Sequence, residues 1–297
     1  MGVGQGRGAS PATAVGWPTG TRASGCKALS GSAGHRLSAC ERRWRIEVHH
    51  RLAGGHRSEV FACRAEGGRE VVLKFPAGSA EAEVAALRAW CGSGAAVRLL
   101  DADVELGALL LERLRPATPL NGIEDDAAIG VAAGLLRGLH AADPSGLRLR
   151  TLEHAYLAHE RETLAFAERS AAGVVLLPAA RAAAARLCAT AGRSVLLHGD
   201  FLDKNLLADG ASYVAIDPVP CIGDPCADAG FFAACRQPVT AIWERAAALA
   251  ARLGEDPARA VRWAAVWAVH EACETWRADS DEVQALMSSA EIRDLLT

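Results

Sequence analysis

The stretch Leu197-His198-Gly199-Asp200-Phe201-Leu202-Asp203-Lys204-Asn205, followed by Ile216-Asp217-Pro218, Gly223-Asp224-Pro225 and Asp228, decides how this chain reads. Two short apolar runs, Val195-Leu196-Leu197 and Val214-Ala215-Ile216, each end in a polar cluster. Apolar strands that terminate in Asp, Asn and His are where a fold presents chemistry. Asp200 and Asn205 lie five positions apart, and Asp217 follows Asn205 by twelve. Phosphoryl transfer from Mg2+-ATP needs a carboxylate at the acceptor hydroxyl and oxygen ligands that hold the metal against the phosphates. One loop and the turn after it supply all three. In these roles Asp200 is the base that orients and deprotonates the acceptor, and Asn205 and Asp217 are the Mg2+ ligands. His198 either braces the loop or is a plain core histidine. A lone His-x-Asp or an isolated Asp also serves as a turn former or cap, so the reading rests on the ordered set.

If this loop handles ATP, the front of the chain must hold the nucleotide. The 32 basic residues include only three lysines, Lys27, Lys74 and Lys204. Lys74 sits in Val71-Val72-Leu73-Lys74-Phe75, an apolar strand, where a compact ammonium reaches phosphates better than a guanidinium fork does. Glu83 on the following helix is its expected ion-pair partner, with Glu81 as the competitor. Gly54 and Gly55 through Ser58, between two strands, would let backbone amides approach the phosphates, although a Gly-Gly turn is equally a plain hairpin. Glu112 to Leu114, where the strands give way to helices, would offer backbone groups to adenine. Lys204 either touches the γ-phosphate or points into solvent.

The wider organisation is read from pattern. Residues 1–43 are rich in Gly, Ala, Ser and Thr without a helical or strand period and are predicted to be a disordered tail. Residues 44–114 alternate as short strands around one helix near Glu81 to Trp90, with further strands at Ala95 to Leu100 and Leu109 to Leu111, giving a small nucleotide-binding lobe. Residues 115–297 are mainly helical and hold the catalytic loop and substrate site. Glu124-Asp125-Asp126 is expected to cap a helix carrying Val131, Leu135, Leu136 and Leu139. The predicted fold class is α+β in two lobes. With 51% hydrophobic and 23% charged residues the chain can bury a real core. No apolar run approaches the roughly 20 residues that cross a bilayer, and a cytoplasmic location without a membrane partner is expected. Nine cysteines without a Cys-x-x-Cys pair read as reduced apolar fillers. A net charge of −3 argues against nucleic acid as a partner.

The run from Trp44 to about Trp276 resembles the aminoglycoside phosphotransferase family of kinase-like small-molecule kinases, and is most similar to its streptomycin 6-phosphotransferase and hydroxyurea phosphotransferase branch. The residues that carry the resemblance are Val72-Leu73-Lys74-Phe75, Ala86 to Trp90, Val97 to Asp101, Leu110 to Leu114, the helix from Glu124 to His140, His198 to Asn205, and Ile216-Asp217-Pro218 with the downstream Gly223-Asp224-Pro225 and Asp228. A similar Asp, Asn and later Asp order occurs in protein kinases. The resemblance implies a two-lobed protein-kinase-like fold with ATP and Mg2+ in the cleft. Relatives usually place an ordered helical segment ahead of the first strand, where this chain has the Gly-rich residues 1–43.

The acceptor is read from the resemblance together with the charge distribution. Residues 1–100 carry +7 and residues 198–297 carry −8. A polycationic, hydroxyl-rich aminocyclitol needs carboxylates around Asp200, and the candidates are Asp224, Asp228, Glu271 and Glu274. Trp263, Trp267, His270, Glu271 and Glu274 fall on one stripe of a helix, which is also what a core face looks like, and Asp228 has a structural reading as an acid that fixes the loop. The leading function is ATP-dependent O-phosphorylation of a small cationic molecule of the streptomycin type. The alternatives are a hydroxyurea, sugar or other metabolite kinase, and a catalytically dead kinase-like binding module.

Overall fold

The structure, a computed structural model, describes residues 31–52, 58–166, 172–273 and 280–297. Its first element is a helix, α1 (Gly31–Trp44), where the sequence pattern predicted disorder. Leu37, Cys40 and Trp44 recur at helical spacing, a signal hidden by the Gly and Ser around them. Cys40 is fully buried against Ile46, Phe61, Val71, Leu73 and Phe75, and the Arg36 guanidinium donates to Leu106 O at 3.0 Å. Residues 1–30 of that predicted tail lie outside the described residues. A chain starting at Trp44 should lose about 2 kcal/mol of buried apolar contact, read in a thermal melt as a drop of several degrees.

A five-stranded antiparallel sheet follows: β1 (Ile46–Arg51), β2 (Glu59–Ala65), β3 (Glu70–Phe75), β4 (Leu99–Asp103) and β5 (Ala108–Glu112), in the order β1-β2-β3-β5-β4. The strand expected at Ala95 to Leu100 is thus shifted toward the C-terminus. Successive β3 side chains point to opposite faces. Val71, Leu73 and Phe75 pack on the α1 side, whereas Val72 packs on the inner face with Leu109, Leu111, Val84 and Leu87. Both faces are covered, so β3 is apolar along its length, and the period of two turns Lys74 inward. Helix α2 (Ala80–Ala89), N-capped by Ser79 accepting from Ala82 N at 3.1 Å, lies on that inner side.

Beyond Glu112 come β6 (Pro116–Pro119) and helices α3 (Asp125–His140), α4 (Leu152–Phe166) and α5 (Leu177–Ala189). The acids at the start of α3 give it no side-chain cap: Glu124 at the cap position makes no such bond, and in the first turn Asp125 pairs with Arg236 and Arg245 and Asp126 with Arg252. Strands β7 (Val195–Leu197), β8 (Leu206–Asp209), β9 (Ser212–Ala215) and β10 (Cys221–Gly223) form two small sheets, ordered β10-β7 and β6-β8-β9. Helices α6 (Cys226–Cys235), α7 (Ile242–Leu253) and α8 (Pro257–Glu271) close the second lobe, followed by the short helices Asp281–Ser288 and Ala290–Leu295. At Gly230 the approach of α8 leaves no room for a side chain, since an added Cβ would lie 2.6 Å from the Trp263 Cβ. Among the described residues no helix is long and apolar enough to cross a membrane, and the eight described cysteines are free thiols.

Candidate active site

The segment from His198 to Asp217 leaves β7, turns through a 3-10 element at Asp203–Asn205, and returns along β8 and β9. Gly199 at φ +75° makes the first turn, and a Cβ there would meet Val219 O at 2.1 Å, so only glycine fits. Asn205 is buried, and its Nδ2 donates to Asp200 O at 2.9 Å and to Asp200 Oδ2 at 2.8 Å. The amide is therefore fixed with Oδ1 turned away from Asp200, and Asp200 keeps Oδ1 for another partner. Asn205 O accepts from Ile216 N at 2.9 Å, which ties the loop to the residue before Asp217. Asp217 adopts a left-handed backbone at φ +57°, a conformation that short polar side chains tolerate best.

The sheet lobe meets this loop through one cation. Lys74, only 4% exposed, donates to Glu83 Oε1 at 2.5 Å and to Asp217 Oδ1 at 2.6 Å. Glu81 is exposed. Burial pulls the Lys74 ammonium down, but Glu83 and Asp217 together outweigh it and hold Lys74 above its ordinary range, so it is charged. The segment before β4 adds a second tie, since Val97 N donates to Ala215 O at 2.9 Å and Ala215 N to Ala95 O at 2.8 Å. Lys74→Arg should lower kcat/KM by about 10–100-fold despite the preserved charge, because a slot between two carboxylates overpacks around the larger fork. Full activity in that variant removes Lys74 from the site.

Burial pushes the Asp200 carboxyl up to about 6, with Lys204 and the Asn205 bond pulling the other way. It is ionised at neutral pH yet close enough to take a proton. Lys204 is exposed. His198 is fully buried, and burial takes its imidazole down to about 4, so it is neutral. Its Nε2 donates to Ile216 O at 3.0 Å, which leaves Nδ1 to accept from Asp200 N at 3.3 Å. The ring also stacks on Trp90, with centroids 6.2 Å apart. His198 is thus both a core histidine and a brace between Asp200 and the Asp217 turn.

The proposed substrate carboxylates are not gathered at the surface around Asp200. Asp228 is 2% exposed, and its oxygens accept from His198 N at 2.9 Å and Gly199 N at 3.0 Å and lie 3.1 Å from His140 Nε2. Burial pushes Asp228 up, but His140 and these backbone donors outweigh it and hold the carboxyl below its ordinary range. It is a post beneath the loop from His198 to Asn205. Asp224, also 2% exposed, accepts from Cys226 N at 3.0 Å, Trp263 Nε1 at 2.7 Å and Arg259 Nε at 2.5 Å. Both acids are corrected from substrate-facing to interior, since all four oxygens are occupied by the protein. Asp228→Asn should cost about 3 kcal/mol of stability, as donors to a buried charge lose their acceptor, while leaving the KM of a cationic acceptor unchanged. Glu271 ends α8 and is partly exposed; Trp263, Trp267 and His270 of the same helix are core. Glu274, Gly54 and Gly55 lie outside the described residues.

Of the remaining nucleotide candidates, Ser58 is buried and its hydroxyl accepts from Ala77 N at 3.3 Å. Glu112 is held by Arg98, whose backbone N–H donates to Oε1 at 2.7 Å. Leu114 is buried in the inner core. Among the described backbone hydrogen bonds, none uses the N–H or C=O of Arg113 or Leu114. Sequence reasoning missed Trp90, His140, Asp203 and Arg236 as parts of the site. A polar His140 ending the apolar stripe of α3, and a lone Arg236 after the apolar α6, were the available signals.

The model of the family described as aminoglycoside/hydroxyurea antibiotic resistance kinase matches residues 43–280. The chain belongs to this family. It is 36% identical over 239 residues to a streptomycin 6-kinase of Streptomyces glaucescens, covering 74% of this chain and 76% of that protein. It is also 36% identical over 194 residues to a streptomycin 6-kinase of Streptomyces griseus, covering 64% of this chain, and the match spans 62% of that relative's length. A hydroxyurea phosphotransferase of Kitasatospora aureofaciens is 38% identical over 198 residues, covering 64% of this chain and 57% of that protein. Among solved structures, a choline/ethanolamine kinase family protein from Mesorhizobium loti superposes with a TM-score of 0.62 at 16% identity, covering 89% of this chain and 97% of that one. The aminoglycoside phosphotransferase APH(4)-Ia gives 0.60 at 16% identity, covering 90% and 98%. The fold is therefore the two-lobed, protein-kinase-like α+β fold.

Proposed function

We propose that this family member is an ATP-dependent, Mg2+-assisted O-phosphotransferase whose acceptor is a hydroxyl of a streptomycin-type aminoglycoside. The observation that carries the reading is the unbroken chain of contacts from Glu83 through Lys74 to Asp217, and from Asp217 through Ile216 to Asn205 and Asp200. Lys74 would contact the nucleotide phosphates, and backbone groups at Arg113 and Leu114 would meet adenine. Asn205 Oδ1 and Asp217 Oδ2 are the oxygens left over by the protein's own bonds, which suits a hard cation. Among the described residues no three His, Cys, Asp or Glu side chains converge on a metal position, and Mg2+ does not need them: it keeps several waters and is held by one or two protein oxygens plus phosphates. When bound, the ion supplies neutralisation of charge on the phosphates. Asp200 would take the proton of the acceptor hydroxyl as the hydroxyl oxygen bonds the γ-phosphorus, while the bond from that phosphorus to the β,γ-bridging oxygen breaks and its electron pair leaves on ADP. A cytoplasmic location, where ATP is available, goes with this reading.

The streptomycin 6-kinase relatives favour the aminoglycoside acceptor, and the hydroxyurea phosphotransferase relative keeps hydroxyurea as the second reading. With Asp224 and Asp228 interior, Asp200 is the carboxylate that would meet a cationic acceptor. A nucleotide-consumption screen with Mg2+-ATP against streptomycin, other aminoglycosides, sugars and hydroxyurea separates the two. Turnover of streptomycin with a KM that rises with ionic strength supports the cationic acceptor, because partly exposed charges are screened beyond about 8 Å at physiological salt. Turnover of hydroxyurea and of no aminoglycoside overturns it in favour of the metabolite kinase, and no nucleotide consumption at all favours the binding module.

A further inference from the structure

The turn that presents Asn205 is anchored from outside the catalytic loop. Arg236, 7% exposed at the end of α6, donates through Nη1 to Asp203 Oδ2 at 2.5 Å and through Nε to Asp125 Oδ1 at 2.7 Å, and its Nη2 donates to Ile123 O. Arg236 is itself immobilised. Arg245 of α7, 1% exposed, donates to Asp125 Oδ2 at 2.9 Å and to Arg236 O at 2.9 Å. Asp203 O also accepts from Leu120 N at 3.2 Å, and Asn205 N closes the turn onto Leu202 O at 2.8 Å. The stretch from Leu120 to Asp125 and Arg236 thus meet at this three-residue turn, with Arg245 behind them.

Asp203 Oδ1 is, among the described residues, the single buried side-chain oxygen or nitrogen without a hydrogen-bond partner. A desolvated carboxylate oxygen left unpaired works against stability, and folds keep such groups where geometry matters more. A turn of this size could have been capped by an exposed polar residue at no such cost. We propose that Asp203 and Arg236 are positioning residues that set the register of the Asp203–Asn205 turn, and so act on metal binding and catalysis through Asn205. Arg236 pulls on Asp203 Oδ2, the turn transmits that restraint over two residues, and Asn205 keeps Nδ2 on Asp200, which leaves Oδ1 to hold a metal ion when one is bound. The role rests on the nucleotide-kinase reading of the site.

Arg236→Ala strips Asp125 and Asp203 of their shared cation and risks unfolding, so the near-isosteric Asp203→Asn carries the test. Mn2+ binding to the protein with ADP is followed by paramagnetic resonance, ADP affinity without metal by calorimetry, and the melting temperature on the same samples. Partners that orient a metal ligand are worth about 10–100-fold in metal affinity. Asp203→Asn is expected to weaken Mn2+ uptake by that factor, to leave metal-free ADP affinity unchanged, and to move the melting temperature by less than about 4 °C. Asn205→Ala should weaken Mn2+ uptake as well, and the double variant should be no weaker than Asn205→Ala alone, because the two substitutions break one path. Wild-type Mn2+ affinity in Asp203→Asn, or losses that multiply in the double variant, overturns the positioning role while the nucleotide site stands. Wild-type protein that takes up no Mn2+ with ADP overturns the nucleotide reading and this role with it.

Discussion

Asp200→Ala is expected to lower turnover by about 10²–10⁴-fold, the range a positioned general base contributes, with Mg2+-ATP affinity nearly unchanged. The separation follows from geometry. The Asp200 carboxylate is tied to the metal side of the site by the Asn205 amide, at 2.8 Å, while Lys74 is held by Glu83 and Asp217 independently of Asp200. The same carboxyl sets a pH limb. A base must be ionised to accept a proton, and burial raises Asp200 to about 6. In the wild type kcat/KM should therefore be flat above that value and fall about tenfold per unit below it. Steady-state kinetics from pH 5 to 8 check both expectations. An unaltered rate in Asp200→Ala assigns the proton to another group. A wild-type profile without an acidic limb near 6 does the same.

Asp217→Ala is expected to act on binding. A truncated metal ligand should weaken Mg2+-dependent nucleotide affinity on the order of 100-fold or more, above the range for the partners that merely orient a ligand. The variant should remain folded, since the Asp217 side chain is 32% exposed and Lys74 keeps Glu83 at 2.5 Å. Its positive φ adds a conformational cost for alanine of about 1 kcal/mol. Asp217→Asn is the matched comparison, because asparagine tolerates that backbone and changes only the charge. Calorimetric titration with ATP, with and without Mg2+, reads the effect. Affinity equal to wild type in the presence of Mg2+ removes Asp217 from the metal site.

What could be read in the sequence follows the range of the forces involved. The strand carrying Lys74 was legible because a charged residue inside an apolar run is unusual, and because burial on both faces makes β3 uniformly apolar. The helix providing half of that burial, α1, was not legible: Leu37, Cys40 and Trp44 are diluted by Gly, Ser and Arg, and their partners lie across the chain in β2, β3 and β5. The loop from His198 to Asn205 stood out because Asp, Asn and Gly at a strand end have no local role to absorb them. Asp224 and Asp228 carry the same local appearance, yet tertiary partners decide their fate. Asp224 finds Trp263 and Arg259 from α8, and Asp228 finds His140 from α3. The spacing of acids along a chain records none of these encounters, and a sum of charges over a segment counts buried posts together with exposed ones. Asp125 illustrates the point again, with a cap expected from its position and two arginines from α6 and α7 found instead.

The most direct test of the central claim is mass spectrometry of streptomycin incubated with the protein, ATP and Mg2+, in parallel with Asp200→Ala. The account predicts gain of one phosphoryl group by the antibiotic with the wild-type protein, equimolar ADP, and almost no product with the variant. Streptomycin recovered unmodified from the wild-type reaction, or phosphorylated equally by Asp200→Ala, would contradict it.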